Sequence, residues 1–183
     1  MLPAANLPVT RRAAIAGTLA IAFVLKASGA GAASPPGERR LALYNPHTDE
    51  RFQDAYWADG AYLPSSLTRI NWLMRDFHRD AVAAIDQGLL DLLCAIDVRL
   101  RGPGPFTILS GYRTAATNHL LRRESRRVAA HSEHTLARAA DIRIDRVPVK
   151  FIRLAALSLR GGGVGTYWRE GFVHVDVGPV REW

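Results

Sequence analysis

The segment VGTYWREGFVHVDV, residues 164–177, contains the pattern that decides the fold of this chain. In its second half, valine alternates with aromatic and polar residues, so a β-strand places the valines on one face and His174 and Asp176 on the other. Glu170 and Gly171 separate this strand from the β-prone VGTYW, which predicts an antiparallel pair. An all-valine face must pack on a core, and the opposite face is left to carry a polar site.

Helical and strand patterns occur in mixed order before this pair. The clearest helix begins at Asp86, which can cap it, and continues through leucines and isoleucines at three- and four-residue intervals to Gly102. Such an order predicts a single α+β domain over residues 34–183, with a small antiparallel sheet and flanking helices around a cleft. The other predicted elements are a hairpin at 39–57, helices at 64–74, 115–127 and 148–159, and strands at 106–110 and 140–144.

The first 33 residues have the pattern of an export signal. Arg11 and Arg12 precede an uncharged run from Ala13 to Leu25, and small residues follow up to a cleavage site near Ala32 or Ala33. An apolar run of this length is short for a spanning helix, which needs about 20 residues. We therefore expect a cleaved signal, possible twin-arginine export, a periplasmic location and no stable membrane span, with an uncleaved N-terminal anchor as the alternative.

Composition indicates an anionic partner. The chain carries 24 Lys and Arg against 17 Asp and Glu, a net charge of +7. Removing residues 1–33 removes Arg11, Arg12 and Lys26 and no acid, which leaves 21 bases, 17 acids and a net charge of +4. Nucleic acid or a polyanionic wall polymer would suit this excess, but DNA binding conflicts with export. Cys94, the single cysteine, excludes an intramolecular disulfide and reads as a small apolar core residue.

Three polar residues have the types and spacing of a zinc site. His134 and Asp141 are separated by six residues, with the aspartate at the start of a predicted strand, so a loop ligand and a strand ligand can converge. Catalytic zinc generally takes three protein ligands and keeps one open position, and His174 on the closing strand supplies the third. Two neutral imidazoles and one carboxylate leave zinc with a net positive charge, so it remains a Lewis acid.

Three segments of the chain match a known pattern: SGYRTAATN (110–118), SEHTLARAADI (132–142) and GGVGTYWREGFVHVDVGPVREW (162–183). On these segments the chain resembles the murein endopeptidase K group of zinc peptidases, which is related to D-Ala-D-Ala dipeptidases and carboxypeptidases. The resemblance covers essentially the whole chain after the signal. It implies zinc ligation by His134, Asp141 and His174, a substrate-orienting arginine at Arg113, and hydrolysis of peptide cross-bridges in peptidoglycan.

Two positions depart from that family's pattern. Ala137 stands where glycine is common, and Gly171 stands where many relatives carry the acid that acts as general base. Asp176 is our first prediction for the base, because it shares a strand face with His174, although it could instead orient the other nitrogen of that histidine. Glu170 is the second.

The resulting prediction is a monomeric zinc endopeptidase in which Arg113 binds a carboxylate of an anionic stem peptide. Two rival functions are a non-catalytic module that binds stem peptides and a D-alanyl carboxypeptidase. His131 and Ser132 are interpreted as loop residues rather than ligands, and Tyr167 and Trp168 as residues that line the groove or pack. The basic residues Arg122, Arg123, Arg126 and Arg127 are interpreted as a solvated helix face.

Overall fold

The computed structural model of the protein describes residues 37–125 and 128–183, within which eight β-strands form one mixed sheet with four α-helices. This confirms the predicted single α+β domain. The strands are β1 (Glu38–Asn45), β2 (Glu50–Ala58), β3 (Ala61–Tyr62), β4 (Phe106–Ser110), β5 (Ala139–Ile144), β6 (Gly163–Tyr167), β7 (Phe172–Asp176) and β8 (Arg181–Glu182). The helices are α1 (Pro64–Leu73), α2 (Gln87–Arg99), α3 (Ala115–Glu124) and α4 (Val149–Leu159), and Glu133–Leu136 forms a 3₁₀ helix.

The sheet is larger than expected and is not purely antiparallel. Its strand order is β3-β2-β1-β4-β5-β7-β6-β8, with β1 parallel to β4 and β6 parallel to β8. Between β1 and β4 the chain passes through α1 and α2, and a crossover through helices returns a strand in the parallel direction. Local alternation does not encode strand direction, which is why the sequence pattern did not predict it.

The core lies against α2 and α4, which pack on each other and on the sheet. Asp86 caps α2 as predicted, because its Oδ1 accepts a hydrogen bond of 2.8 Å from Gly88 N. Val173 and Val175 of β7 are fully buried in this core, which confirms the predicted valine face. Cys94 is partly buried against the same core. The other face of β7 is therefore free to carry His174 and Asp176 into a polar environment.

The third helix is shorter than the predicted 115–127. It ends at Glu124, because Ser125 adopts an extended conformation. Tertiary contact overrides helix propensity here: the chain returns so that Asn118 Nδ2 donates a 3.1 Å hydrogen bond to Ala129 O. This return leads into the 3₁₀ helix that carries His134.

The predicted signal segment, residues 1–33, lies outside the described residues, as do Arg126 and Arg127. Within the described part of the chain, each helix is too short or too polar to cross a lipid bilayer.

Candidate active site

The structure brings the three predicted ligands together at the floor of a cleft. His134 Nε2 lies 3.2 Å from Asp141 Oδ1 and 3.1 Å from His174 Nδ1, and the last two atoms are 2.9 Å apart. All three residues are buried, with relative exposures of 2–7%. In the ranges 37–125 and 128–183 no other group of three His, Cys, Asp or Glu residues has this convergence.

The sheet register sets two of these positions. Asp141 of β5 is the direct antiparallel partner of His174 of β7, so their side chains lie side by side on one face. His134 comes from the 3₁₀ helix, which Ala137 ends in a left-handed conformation with φ of 56°. The left-handed region costs a non-glycine residue about 1–2 kcal/mol, which explains why glycine is common at this position in the resembled family.

Hydrogen bonds on the far side of each ring fix the orientation of both imidazoles. His134 Nδ1 donates to Gly111 O over 2.7 Å, which directs Nε2 at Asp141 and His174. His174 Nε2 donates to Asp176 Oδ2 over 3.0 Å, which directs Nδ1 at the same point. Carbonyl or carboxylate partners of this kind set the tautomer of metal-binding histidines and raise their basicity.

Asp176 lies behind His174, away from the cleft. It is fully buried, and its Oδ1 accepts from Gly163 N at 3.0 Å and Gly178 N at 2.8 Å. Arg181 donates to both of its oxygens, at 3.2 and 2.7 Å. This geometry does not fit the predicted base role, because a buried carboxylate with its lone pairs engaged cannot reach a water in the cleft. It fits the alternative, in which Asp176 orients His174.

Arg113 lies in the wall of the cleft, beside two of the three ligands. Its Nη2 donates to Asp141 Oδ2 and lies 3.1 Å from His134 Nε2, and its Nε donates to Ser110 Oγ over 2.7 Å. The guanidinium is therefore held against the site rather than in solvent. Its position agrees with the predicted one, on the loop after β4.

The pKa values of the three converging residues are shifted in different directions. Burial lowers the pKa of His134 below its usual value. Burial also opposes charge on His174, but hydrogen bonds to Asp141 and Asp176 outweigh this and raise its pKa. For Asp141 the cost of burial is outweighed by both histidines, so its pKa lies well below the usual range. An ionised carboxylate beside a neutral His134 is the protonation state that a cation requires.

A cavity of about 460 Å³ lies above the three ligands. Glu170 and Glu133 both contribute to its wall, and Tyr167, Phe172 and Trp183 supply aromatic surface. Tyr167 stacks on Phe172 with ring centroids 4.4 Å apart, and Trp183 packs 5.3 Å from the His174 ring. Gly165 makes the Trp183 contact possible, because a Cβ there would approach that ring to 2.6 Å. Trp168 is exposed and does not line this cavity.

Three of these residues were missed by the sequence analysis. Glu133 follows Ser132 in a loop motif. Its Oε2 atom is buried and lies 3.6 Å from Arg138 Nη1, a distance that is too long for a hydrogen bond. Arg181 and Trp183 lie near the C-terminus, far in sequence from the ligands. Both residues belong to the segment 162–183 that matches the resembled family, which could have marked them as site residues. The sequence does not indicate where their side chains point.

The donor set fits a zinc ion. Two imidazole nitrogens and one carboxylate oxygen lie within 4.8 Å of one another, and both outer histidine nitrogens are hydrogen-bonded as zinc ligands require. Asp176 and His131 do not join this group, and neither do Glu133 and Glu170.

Known proteins resemble this chain over most of its length. Residues 33–183 match the family model described as Peptidoglycan L,D-endopeptidase MepK. The chain is 38% identical over 170 residues to the Peptidoglycan L,D-endopeptidase MepK of Escherichia coli K12, covering 93% of each chain. It is also 38% identical over 151 residues to the probable enzyme of that name from Haemophilus influenzae, covering 82% of this chain and 81% of the other. No solved structure gave a match. The chain belongs to the peptidoglycan L,D-endopeptidase MepK family.

Proposed function

We propose that this protein is a zinc-dependent endopeptidase that hydrolyses L,D peptide cross-links of peptidoglycan. The observation that carries the proposal is the convergence of His134, Asp141 and His174 at the floor of a cleft. The relatives named above supply the substrate class, because each is named as an endopeptidase of peptidoglycan.

In this proposal the three converging side chains hold the metal. Zinc bound there would supply a Lewis acid that polarises the scissile carbonyl and lowers the pKa of a bound water. Hydrogen bonds to Gly111 O and to Asp176 keep the two imidazoles in the tautomers that leave the lone pairs of His134 Nε2 and His174 Nδ1 available to the metal. Asp176 is thus a positioning residue, and Arg181 holds Asp176 in turn through two hydrogen bonds.

Glu170 takes the role of general base. It is an exposed carboxylate at the turn between β6 and β7 and lines the cavity above the ligands. The neighbouring Gly171 has a φ of 77°, in the left-handed region that favours glycine, and Glu170 is the carboxylate beside it. Glu170 would accept a proton from the attacking water and pass it to the leaving amine.

Arg113 binds the substrate. Its guanidinium lies beside Asp141 and His134 and is 13% exposed to the cleft, so it can accept an anionic group of a stem peptide next to the scissile bond. A guanidinium has five N–H donors, so some remain for a substrate carboxylate beyond those directed at Asp141 and Ser110. A stem peptide is anionic, which also suits the net positive charge of the chain.

We also propose that residues 1–33 direct export and are removed, which places the enzyme in the periplasm with its substrate. The apolar run is too short for a comfortable span, and the domain that follows needs no disulfide. The mature protein is proposed to be a monomer.

Digestion of purified peptidoglycan followed by mass spectrometry of the muropeptides tests the function. We expect new uncross-linked stem peptides, unchanged glycan length, loss of activity with a chelator and recovery with zinc. Release of terminal D-alanine alone would assign a carboxypeptidase. Binding without any product would assign the non-catalytic module, and glycan fragments alone would overturn the peptidase proposal.

A further inference from the structure

A second cavity adjoins the first at the metal-ligand cluster. It has a volume of about 230 Å³, and Arg113, Asp141 and Phe172 line both cavities. Because Asp141 is one of the three converging ligands, the boundary between the cavities lies at the place where the proposed chemistry occurs. Each of the two cavities therefore borders the metal-ligand cluster.

The second cavity has an aromatic wall. His47 stacks on Phe77 with ring centroids 4.0 Å apart and an interplanar angle of 11°, and His78 packs 4.2 Å from the same ring. Tyr112 contributes to the same cavity. Phe77 is only partly buried, and both histidines are exposed, so the three-ring stack is accessible to a ligand.

Hydrogen bonds fix this wall relative to the cluster. Asp76 Oδ2 accepts from Thr114 N at 2.9 Å and Thr114 Oγ1 at 2.8 Å, which ties the residue before Phe77 to the residue after Arg113. Tyr112 N donates to Met74 O over 2.8 Å. On the other side, His47 Nε2 donates to Leu109 O over 3.2 Å. A wall ordered before binding loses little conformational entropy when a ligand arrives.

The charged side chains around this cavity are largely engaged by neighbouring groups. The Asp76 carboxylate is occupied by Thr114 and by His78 N, at 3.1 Å. Arg75 is 7% exposed and is paired with Glu50 and Asp80. The polar groups that can meet a ligand include the exposed imidazole of His78 and the guanidinium of Arg113, which can donate to carboxylates and carbonyls, whereas the His47 donor is engaged by Leu109 O.

We propose that the cavity lined by His47, Phe77, His78 and Tyr112 is a second substrate subsite, which binds the other peptide stem of the cross-linked pair. This inference rests on the proposed endopeptidase function and extends it. An endopeptidase must hold peptide on both sides of the bond that it cleaves, and the two cavities provide one binding surface on each side. The aromatic stack packs against aliphatic parts of the stem, and the donors beside it bind its anionic groups.

Kinetics on a purified cross-linked muropeptide dimer test the subsite. Phe77→Ala removes the centre of the stack, so we expect KM to rise about tenfold with kcat within about twofold of wild type. His78→Ala removes one exposed ring and is expected to raise KM about threefold without risk to the core. Phe151→Ala is the matched control, because this exposed phenylalanine lies on α4 and lines neither cavity.

A peptide with the same scissile bond, truncated so that it lacks the second stem, provides the second readout. The variants should equal wild type on it, because it does not occupy the subsite. If wild type fails to cleave it at all, the second stem is required for cleavage, and the KM values on the dimer then decide whether this cavity binds it. Unchanged KM on the dimer in both variants, or equal losses on dimer and truncated peptide, would overturn the subsite while leaving the endopeptidase proposal intact. If wild type cleaves neither substrate, the endopeptidase proposal itself fails.

Discussion

Asp91 and Asp141 each have several close partners, and the difference between these two carboxylates separates a structural cluster from a functional one. Asp91 of α2 accepts hydrogen bonds of 2.8 Å from Tyr56 and from Tyr62, and Arg39 lies 2.7 Å away. These partners are all donors, so the lone pairs of the carboxylate are matched and the group needs no ligand. Burial raises the pKa of Asp91, but these hydrogen bonds outweigh it and lower the pKa overall.

Asp141 differs because its partners include two imidazole nitrogens that themselves converge. His134 Nε2 and His174 Nδ1 lie 3.1 Å apart, and the outer nitrogen of each ring already donates to another group. With both rings neutral, the inner nitrogens present lone pairs towards one carboxylate oxygen, an arrangement that a cation between the atoms stabilises. Arg113 supplies one positive charge beside them, since its Nη2 donates to Asp141 Oδ2 and lies 3.1 Å from His134 Nε2. At least partial burial and a lowered pKa are thus common to both carboxylates, and the two convergent imidazole nitrogens distinguish Asp141.

The largest expected effect follows from removing a ligand of the functional cluster. His174→Ala takes away one of three donors, so zinc affinity should fall by about 10³-fold and endopeptidase activity should fall below detection. Metal analysis of the purified variant and muropeptide release measure the two effects. A variant that retained stoichiometric zinc would break the distinction between the two carboxylate clusters.

A loss of catalysis without a loss of metal is expected for the proposed base. Glu170→Gln keeps the shape of the side chain but not its proton affinity, so kcat should fall by about 10²–10⁴-fold at unchanged zinc content. Glu133→Gln is the matched variant, because both glutamates line the same cavity. If Glu133→Gln alone lost activity, the base would be Glu133.

A substitution of Asp176 tests whether this fully hydrogen-bonded carboxylate contributes to metal binding through His174. Asp176→Asn weakens the acceptor of the His174 Nε2 proton, so metal affinity or activity should fall by about 10–100-fold. Competition with a zinc-binding dye measures the affinity. Full retention of metal with loss of kcat would restore Asp176 as the base.

The smallest effect on activity is expected at the structural carboxylate. Asp91→Asn weakens hydrogen bonds to a charged group, so the protein should lose about 1.5–3 kcal/mol of stability but keep its zinc content and its kcat. Denaturant unfolding measures the change. Because the pKa of Asp91 is lowered in the folded state, its contribution is present at neutral pH and disappears as the pH falls through that pKa. The difference from wild type should therefore shrink in acid, and a loss of activity per folded molecule would contradict a purely structural role.

Residue spacing and strand alternation predicted much of the fold and of the site. The α2 cap at Asp86, the valine face of β7 and the turn at Glu170 and Gly171 follow from local patterns, since capping and alternation act within a few residues. The larger mixed sheet was missed, because strand direction depends on crossovers between distant elements. The early end of α3 was missed for a similar reason: the Asn118 contact with Ala129 is tertiary.

By itself, the sequence determined that His174 and Asp176 share a strand face and that His134 and Asp141 have ligand-like spacing, because the two-residue period of a strand is fixed by backbone geometry. Only the tertiary structure decided that Asp176 lies behind His174 and that the rings of His47, Phe77 and His78 line a cavity that Asp141 also lines. Those positions depend on sheet register and on loops packed from distant parts of the chain. Side-chain direction across such contacts is set by packing, which no local pattern encodes.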